Sequence, residues 1–439
     1  MQISKTVRLD NLEMIKQKDL VEQKSAPLMR HCMIVHAYYP LGETRVEREA
    51  RALTRADYAV DVICLRAAGE QPVEQDGGIT IYRLPVGRHK GRGAAVQLLE
   101  YLTFLLLAMI HLTRLHVRAP YRVVQAHNLP DFLVFAALPV KLMGARVVLD
   151  IHDLMPEFYA SRFGTDLDSL PVRLVKLQER WACRFADRVI TVSDHWRQVL
   201  IGRGVAPQKC SVVMNVADDS IFHRPEEPPA LLHDPCGLRL IYHGSLARHY
   251  GLDLAIRAVD QVRTDIPGMH LTLLGDGDYV GELRRLIEEL GIAAQVNLIN
   301  ELRPAEELPA IIATADLGIA PYRNDTFTDG LLPTKLMEYA ALGMAAVAAR
   351  TTAIERTFGG TMVALFEPGD VDSLAACLRD LHAHPEQIAE LRAGSALFNE
   401  CYNWPKISAA YVATVDGLAA GRRTMESEQW AVDSRSVGQ

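Results

Sequence analysis

Hydrophobic and polar positions along the chain follow two periods in turn. The first half carries short runs that are β-branched and apolar on both faces: HCMIVHAYY from His31, YAVDVICL from Tyr58, ITIYRL from Ile79, YRVVQAH from Tyr121, ARVVLDIH from Ala145 and RVITVS from Arg188. Such runs fit strands of a parallel sheet covered by helices. Helical patterns fall between them, including Val46 to Ala56 and Leu174 to Phe185. The alternation restarts after a Pro- and His-containing stretch from His223 to Pro235. Strands are expected at RLIYHG, HLTLLG, QVNLIN, LGIAPY, MAAVAA and MVALFE, which begin at Arg239, His270, Gln295, Leu317, Met344 and Met362. Helices are expected at Gly251 to Thr264, Tyr279 to Leu290 and Pro304 to Thr314. The fold class is therefore α/β: two Rossmann-like, doubly wound domains facing across a cleft, at 29–225 and 226–402. A flexible extension at 1–28 precedes them. A helix at 403–420, packing back on the first domain, and a flexible tail at 421–439 follow.

Ligands of open parallel sheets bind beyond the carboxyl ends of the strands, so the residues there are the candidates for chemistry. The most informative stretch is LLPTKLMEYAALGMAAVAA, from Leu331 to Ala349. A proline-led segment opens a helix, with Thr334 as capping residue, that closes at Gly343. Lys335 and Glu338 are three apart and share a face near its amino end, where free N–H groups and partial positive charge suit a phosphate. A carboxylate one turn further in can accept hydrogen bonds from a ribose diol. The pairing fits a sugar nucleotide better than a free anion; the plain alternative is a solvated surface pair.

Four further places follow strands. Gly42, before Glu43 and Arg45, permits close backbone approach to a diphosphate, or forms a plain turn. His152, in DIHDLMPE, can donate to a sugar hydroxyl or polarise a reacting group, with Asp153 capping the next helix; His127 is the weaker equivalent. Gly244 and Ser245, in YHGSLARHYGLD, permit close approach, and Arg248 can neutralise a diphosphate leaving group. Gly275, Gly277 and Gly281, in LLGDGDYVGEL, approximate a dinucleotide fingerprint whose last spacing is one residue too long.

Composition narrows the classes. The 439 residues are 49% hydrophobic and 23% charged, enough for two buried cores. A formal net charge of −7 argues against a nucleic-acid binder that works through a global positive field. Seven scattered cysteines without a CxxC pair suggest neither a disulfide framework nor a zinc site, and fit a reducing cytosol. The first 28 residues show no signal-peptide core, so a cytoplasmic location is expected. Leu98 to Arg118 is strongly apolar, and Arg83, Arg88, His89, Lys90 and Arg92 precede it. Glu100, His111 and Arg114 interrupt it, leaving an unbroken run too short for a bilayer span. It reads as a buried domain helix, as an interfacial helix on the inner face of the cell membrane or, last of the three, as a true span.

The ordered set YYPLGETRVEREARAL, LDIHDLMPE, FADRVITVSDHWRQVLIGRGV, VVMNVADDSIF, LLGDGDY, ADLGIAPY and LPTKLMEYAALGMAAVA resembles glycosyltransferase family 4, of GT-B architecture, in its LPTKLMEY-type bacterial polysaccharide branch. The resemblance implies a retaining transfer of a sugar from a nucleotide-diphosphate donor, held by the second domain, to a glycan or polyprenyl-linked acceptor. It places Glu338 on the nucleotide ribose, as second glutamate of an E-x7-E motif. Thr334 and Lys335 fall at the donor phosphates and His152 near the donor sugar. No metal or cofactor is implied. Two departures stand out. Gly330 replaces the first glutamate of the motif, leaving Asp329 or Asp325 to hold the sugar. Ser245 and Tyr250 occupy the places of an arginine and a lysine, leaving Arg248 or His249 to substitute. Two other readings compete: a non-catalytic sugar-nucleotide or glycan binder, motivated by Gly330, and a nicotinamide-dependent oxidoreductase using GDGDYVG with Glu301 on the ribose.

Overall fold

The computed structural model describes residues 28–40, 43–88, 93–224 and 237–421. Gly42, His89, Lys90, Arg92, most of the stretch joining the two series of strands, and the terminal segments expected to be flexible lie outside the described residues. In chain order the elements are β1 (Met29–Tyr38), α1 (Thr44–Arg55), β2 (Tyr58–Leu65), β3 (Val73–Asp76), β4 (Ile79–Leu84), α2 (Ala94–Arg118), β5 (Val123–His127), α3 (Leu138–Leu142), β6 (Arg146–Ile151), α4 (Met155–Phe163), α5 (Leu170–Phe185), β7 (Arg188–Thr191), α6 (Asp194–Gly202) and β8 (Cys210–Val212). The second series is β9 (Gly237–His243), α7 (Leu252–Val262), β10 (Gly268–Gly275), α8 (Val280–Leu290), β11 (Val296–Asn300), α9 (Leu308–Ile312), β12 (Leu317–Ala320), α10 (Thr334–Ala341), β13 (Ala345–Ala349), α11 (Thr352–Phe358), β14 (Val363–Phe366), α12 (Val371–Ala383), α13 (Pro385–Cys401) and α14 (Trp404–Ala419).

The strands form an eight-stranded sheet, β3-β4-β2-β1-β5-β6-β7-β8, and a six-stranded sheet, β11-β10-β9-β12-β13-β14. Pairings such as β1 with β2 and β5, and β9 with β10 and β12, are parallel, as the doubly apolar runs require. The short β3 pairs antiparallel with β4. Its sequence, VEQD, has no apolar period because it is an exposed edge, which is why periodicity misses it. The chain divides into two compact units. Of the described residues, one draws on those up to Ala126, on Phe135–Val147 and on Leu418–Gly421, the other on His127–Val134 and Val148–Gly417.

In the first unit, α2 buries Phe104, Ala108 and Leu112 and leaves Leu99, Leu102, Leu106 and Ile110 exposed. The 24 residues Ala95–Arg118 are long and apolar enough to cross a membrane by length and composition, in contrast to the shorter unbroken run. Glu100, which interrupts that run, is buried beside His36, with Nε2 3.1 Å from its Oε1. Burial lowers the His36 pKa to about 4, against the opposing pull of Glu100. Arg83 is buried and paired with Glu70 and Glu74, so it is not part of a free basic approach to the helix.

In the second unit, two loops meet through missing side chains. A Cβ on Gly275, at φ +147°, would lie 1.8 Å from the Gly244 carbonyl oxygen, and one on Gly277 would lie 2.1 Å from that of Leu246. The backbones are stitched by Gly244 N to Leu274 O at 3.0 Å and Leu246 N to Asp276 O at 2.9 Å. These glycines seat the loop after β9, whereas a Cβ on Gly281, in α8, meets nothing within 4 Å. Gly275→Ala is expected to destabilise the fold by roughly 3 kcal/mol or more, from clash and strained backbone together. Gly281→Ala is expected to stabilise it by about 0.5–1 kcal/mol through helix propensity. Urea titration of the two variants checks the contrast; equal midpoints would contradict the packing.

Candidate functional site

The LPTK segment builds the centre of the site. Pro333 is the residue before the helix and Thr334 its exposed first residue, with no side-chain cap, so Thr334 is not the capping residue expected from sequence. Gly343, at φ +68°, follows the helix end. Nearly every side of α10 is buried, including Leu336, Met337, Tyr339 and Ala340, and this carries Lys335 inward to 7% exposure. Its Nζ donates to Tyr322 Oη at 2.8 Å. The same atom lies 4.6, 5.1 and 5.2 Å from the ring centroids of Tyr242, Tyr322 and Tyr250. Ring faces of this kind attract a desolvated ammonium. Burial lowers the Lys335 pKa to about 8, opposed by Glu338. Lys335 is therefore not half of a solvated surface pair.

Above it lies the loop after β9. A Cβ on Gly244 would stand 3.9 Å from Lys335 Cε and 4.0 Å from Nζ, and both Gly244 and Ser245 are exposed. Tyr242 Oη donates to the Ser245 carbonyl at 2.7 Å. Tyr250 stands where the family resemblance places a lysine, and its ring packs 4.9 Å from that of Tyr322. Lys335 Nζ, from α10, lies 5.2 Å from the centroid of the Tyr250 ring. Arg248 is exposed, in a short 3-10 turn with His249 and Tyr250. His249 is half-buried against Tyr250, and burial lowers its pKa. Glu338, half-buried, accepts from His243 Nε2 at 2.5 Å, and the imidazole sits edge-on to Tyr339.

Gly330 has a steric cause. A Cβ there would fall 2.1 to 2.7 Å from the Trp196 ring, so no glutamate fits at that position while the indole stays. Neither suggested stand-in is idle. Asp329 Oδ1 accepts from Thr352 N at 2.9 Å, receiving the start of α11. Asp325 Oδ1 accepts from Phe327 N and Thr328 N, and its Oδ2 from Ser161 Oγ at 3.2 Å.

His152 belongs to a tight cluster. Asp150 Oδ2 lies 3.2 Å from His127 Nδ1 and 3.3 Å from His152 Nε2, and those two nitrogens are 3.2 Å apart. Asp150 and His127 are fully buried, while the His152 side chain is 21% exposed. His152 N donates to Asn128 Oδ1, and Asn128 Nδ2 donates to Asp153 O and Asp131 Oδ1. The trio is compact enough to hold an ion, and equally forms a hydrogen-bonded set in which Asp150 orients both rings. Asp153 does not cap α4, whose cap position is Leu154; burial raises the Asp153 pKa.

Tyr242, Tyr322, His243, Trp196 and Asp150 escape sequence reading. Tyr242, His243 and Tyr322 do sit at or just past strand ends, in RLIYHG and LGIAPY, which is the signal that would find them. The dinucleotide reading fails at its glycines, because the spaces beside Gly275 and Gly277 are filled by the backbone of 244–246. Glu301, its ribose ligand, is paired with Arg303 at 2.7 Å.

Two family profiles match the chain: Glycosyl transferase 4-like domain over residues 42–215, and Glycosyl transferases group 1 over residues 237–384. The chain belongs to the family 4 glycosyltransferases, with the GT-B fold. It is 34% identical over 146 residues to a GDP-mannose-dependent alpha-(1-6)-phosphatidylinositol monomannoside mannosyltransferase of Mycolicibacterium smegmatis, a match covering 32% of this chain and 37% of that protein. It is 24% identical over 318 residues to the putative colanic acid biosynthesis glycosyl transferase WcaI of Escherichia coli, covering 70% and 77%. The first of these matches thus spans little more than a third of its relative. Sucrose-phosphate synthase of Thermosynechococcus elongatus superposes with TM-score 0.71 at 17% identity, over 90% of this chain and all of that one. Anabaena HepE, solved with UDP-glucose, superposes with TM-score 0.64 at 17% identity, over 89% and 100%. At such identities the likeness shows the fold.

Gly330→Ala is expected to cost about 1–3 kcal/mol by overpacking against Trp196. The second change Trp196→Leu should recover part of that loss, as coupled neighbours do. Denaturation midpoints of the single and double variants test this; additive effects would mean that the two residues do not touch.

Proposed function

We propose that this glycosyltransferase moves a sugar from a nucleotide-diphosphate sugar to a glycan or polyprenyl-linked acceptor, with retention, in cell-surface polysaccharide biosynthesis. The observation that carries the reading is the buried Lys335 ammonium beneath the exposed backbone of Gly244 and Ser245, one helical turn from Glu338. A diphosphate laid on that loop meets an ammonium whose other neighbours are neutral rings and a hydroxyl, where its field is little screened. Glu338, oriented by His243, is placed to accept from a ribose diol. Arg248, free to swing, closes over the outer phosphate. The bond from anomeric carbon to phosphate oxygen breaks and the electron pair leaves with the nucleoside diphosphate; the acceptor oxygen bonds to the same carbon on the face just vacated, and its proton passes to the departing diphosphate oxygen. His152, oriented by Asp150, donates to a hydroxyl of the transferred sugar. Lys335, Arg248 and the first turn of α10 meet the developing negative charge, so this reading needs neither metal nor cofactor. The relatives support it: one is a GDP-mannose-dependent mannosyltransferase, another is a putative colanic acid biosynthesis glycosyl transferase, and HepE was solved with UDP-glucose.

The same enzyme makes peripheral contact with an anionic membrane. Support for that contact is the exposed leucine face of α2, whose inner face packs in the first unit.

A thermal-shift panel of UDP-, GDP- and ADP-sugars, followed by a transfer assay with the donor that stabilises, tests the activity. Lys335→Ala should weaken donor binding by roughly tenfold or more, as loss of a charged hydrogen bond does. Lys335 is charged below its pKa of about 8 and neutral above it, so wild-type donor affinity should fall as pH rises through 8. The Lys335→Ala profile should be flat there. Stabilisation by a donor without transfer or hydrolysis would favour the non-catalytic binder, and silence across the panel would sink both.

A further inference from the structure

The cluster of His127, Asp150 and His152 has a geometry that orienting one ring does not require. His127 ends β5, Asp150 lies near the end of the neighbouring strand β6, and His152 follows that strand. Asp150 and His152 are two apart, so both leave the chain on the same face as it quits the sheet. Asn128 ties the two strand ends together. Its backbone N donates to the Asp150 carbonyl at 3.0 Å, and its Oδ1 accepts from His152 N at 2.8 Å. All three residues of the cluster belong to the second unit.

Asp150 Oδ2, His127 Nδ1 and His152 Nε2 form a nearly equilateral triangle, with sides of 3.2, 3.3 and 3.2 Å. Hydrogen bonds can serve at most two of these sides, because an imidazole nitrogen either carries a proton or offers a lone pair, never both. If both nitrogens donate to Asp150, two N–H groups face each other across the third side. If one ring donates to the other, the accepting lone pair faces the carboxylate. A single cation above the triangle meets all three lone pairs at once. Bonds of about 2.05 Å to atoms spaced 3.2 to 3.3 Å apart give ligand–metal–ligand angles of roughly 103–107°, close to tetrahedral. An octahedral Mg2+ site, with bonds of about 2.1 Å, would need sides of about 3.0 Å and prefers oxygen ligands.

We propose that His127 Nδ1, Asp150 Oδ2 and His152 Nε2 bind Zn2+ in tetrahedral geometry, with water as the fourth ligand. Two neutral imidazoles and one carboxylate are a donor set that suits this ion and keeps one position for solvent. The Asp150 and His127 side chains are fully buried, so the ion enters past His152, at 21% exposure. Asn128, which donates to Asp131 Oδ1 at 2.9 Å, is the outer group that holds the His152 backbone in place. Metal on Nε2 leaves the His152 proton on Nδ1, so the ring can still donate to a hydroxyl from that atom. The metal site stands apart from the sugar-transfer reading, and its test uses neither donor nor acceptor.

Full-length protein, first stripped with EDTA, is titrated with Zn2+, Co2+ and Mg2+. Zn2+ should raise the melting temperature and bind with a Kd of ~1 μM or tighter, and Mg2+ should bind roughly a hundredfold more weakly or less. Co2+ should show the visible absorption of a tetrahedral ion without the near-ultraviolet band of thiolate ligation, and Zn2+ should erase it. His152→Gln and His127→Asn each put an amide where a ring nitrogen ligates, and each should weaken Zn2+ by roughly a hundredfold. His152 is the less buried of the two, so its variant decides the matter even if the other fails to fold. His384→Ala, which breaks the exposed His384–Asp380 pair at 2.9 Å, should bind Zn2+ as the wild type does. Absence of a zinc-dependent shift overturns the proposal, as does equal affinity for Mg2+, a thiolate band or unchanged affinity in His152→Gln. Zinc binding that is lost in His384→Ala places the ion on the surface and overturns it equally.

Discussion

Burying an ammonium costs several kcal/mol unless something replaces its hydration. In this protein the replacement at Lys335 is the Tyr322 hydroxyl and the rings of Tyr242 and Tyr250, not a carboxylate in contact. Rings attract the cation without cancelling its charge, so the field remains available to an anion arriving over Gly244. A counter-carboxylate in the same place would stabilise the resting protein better and leave less for a diphosphate. The lowered pKa, near 8, records how incompletely the tyrosines restore the solvation that was lost.

That arrangement depends on backbone proximity. Tyr242 ends β9, Tyr322 follows β12, Tyr250 lies in the turn before α7, and Lys335 opens α10. They converge because neighbouring parallel strands β9 and β12 deliver their carboxyl ends side by side. The loop after β9 can settle over Lys335 only because Gly275 and Gly277 offer no side chain to the carbonyls of Gly244 and Leu246. Glycines that look like a dinucleotide fingerprint thus serve the packing of one loop against another. A second steric exclusion sets the other edge: Trp196 fills the space that a glutamate at 330 would need.

Much of this was legible in the linear chain. Apolar runs located twelve strands, with bounds matching for β2 and β4, because strands buried on both faces leave an unmistakable pattern. The edge strand β3 and the short β8 left none, since a polar or three-residue strand has no period to read. Lys335, Glu338, Gly244 and His152 were found from their places after strands or at a helix start, and all lie in the second unit.

The sequence by itself determined the α/β class, the two series of strands, the strand-end positions of the candidate residues and the family. Those follow from local periodicity and ordered motifs, which need no knowledge of distant contacts. Only the tertiary structure decided that Lys335 points into tyrosines and not toward Glu338, that Asp150 binds two histidines, that Asp329 is spent on α11 and that Trp196 forbids a side chain at 330. Apart from that of Asp150 with His152, each is a contact between residues 13 or more positions apart in the chain, fixed by which strands lie side by side. No spacing along the sequence encodes that.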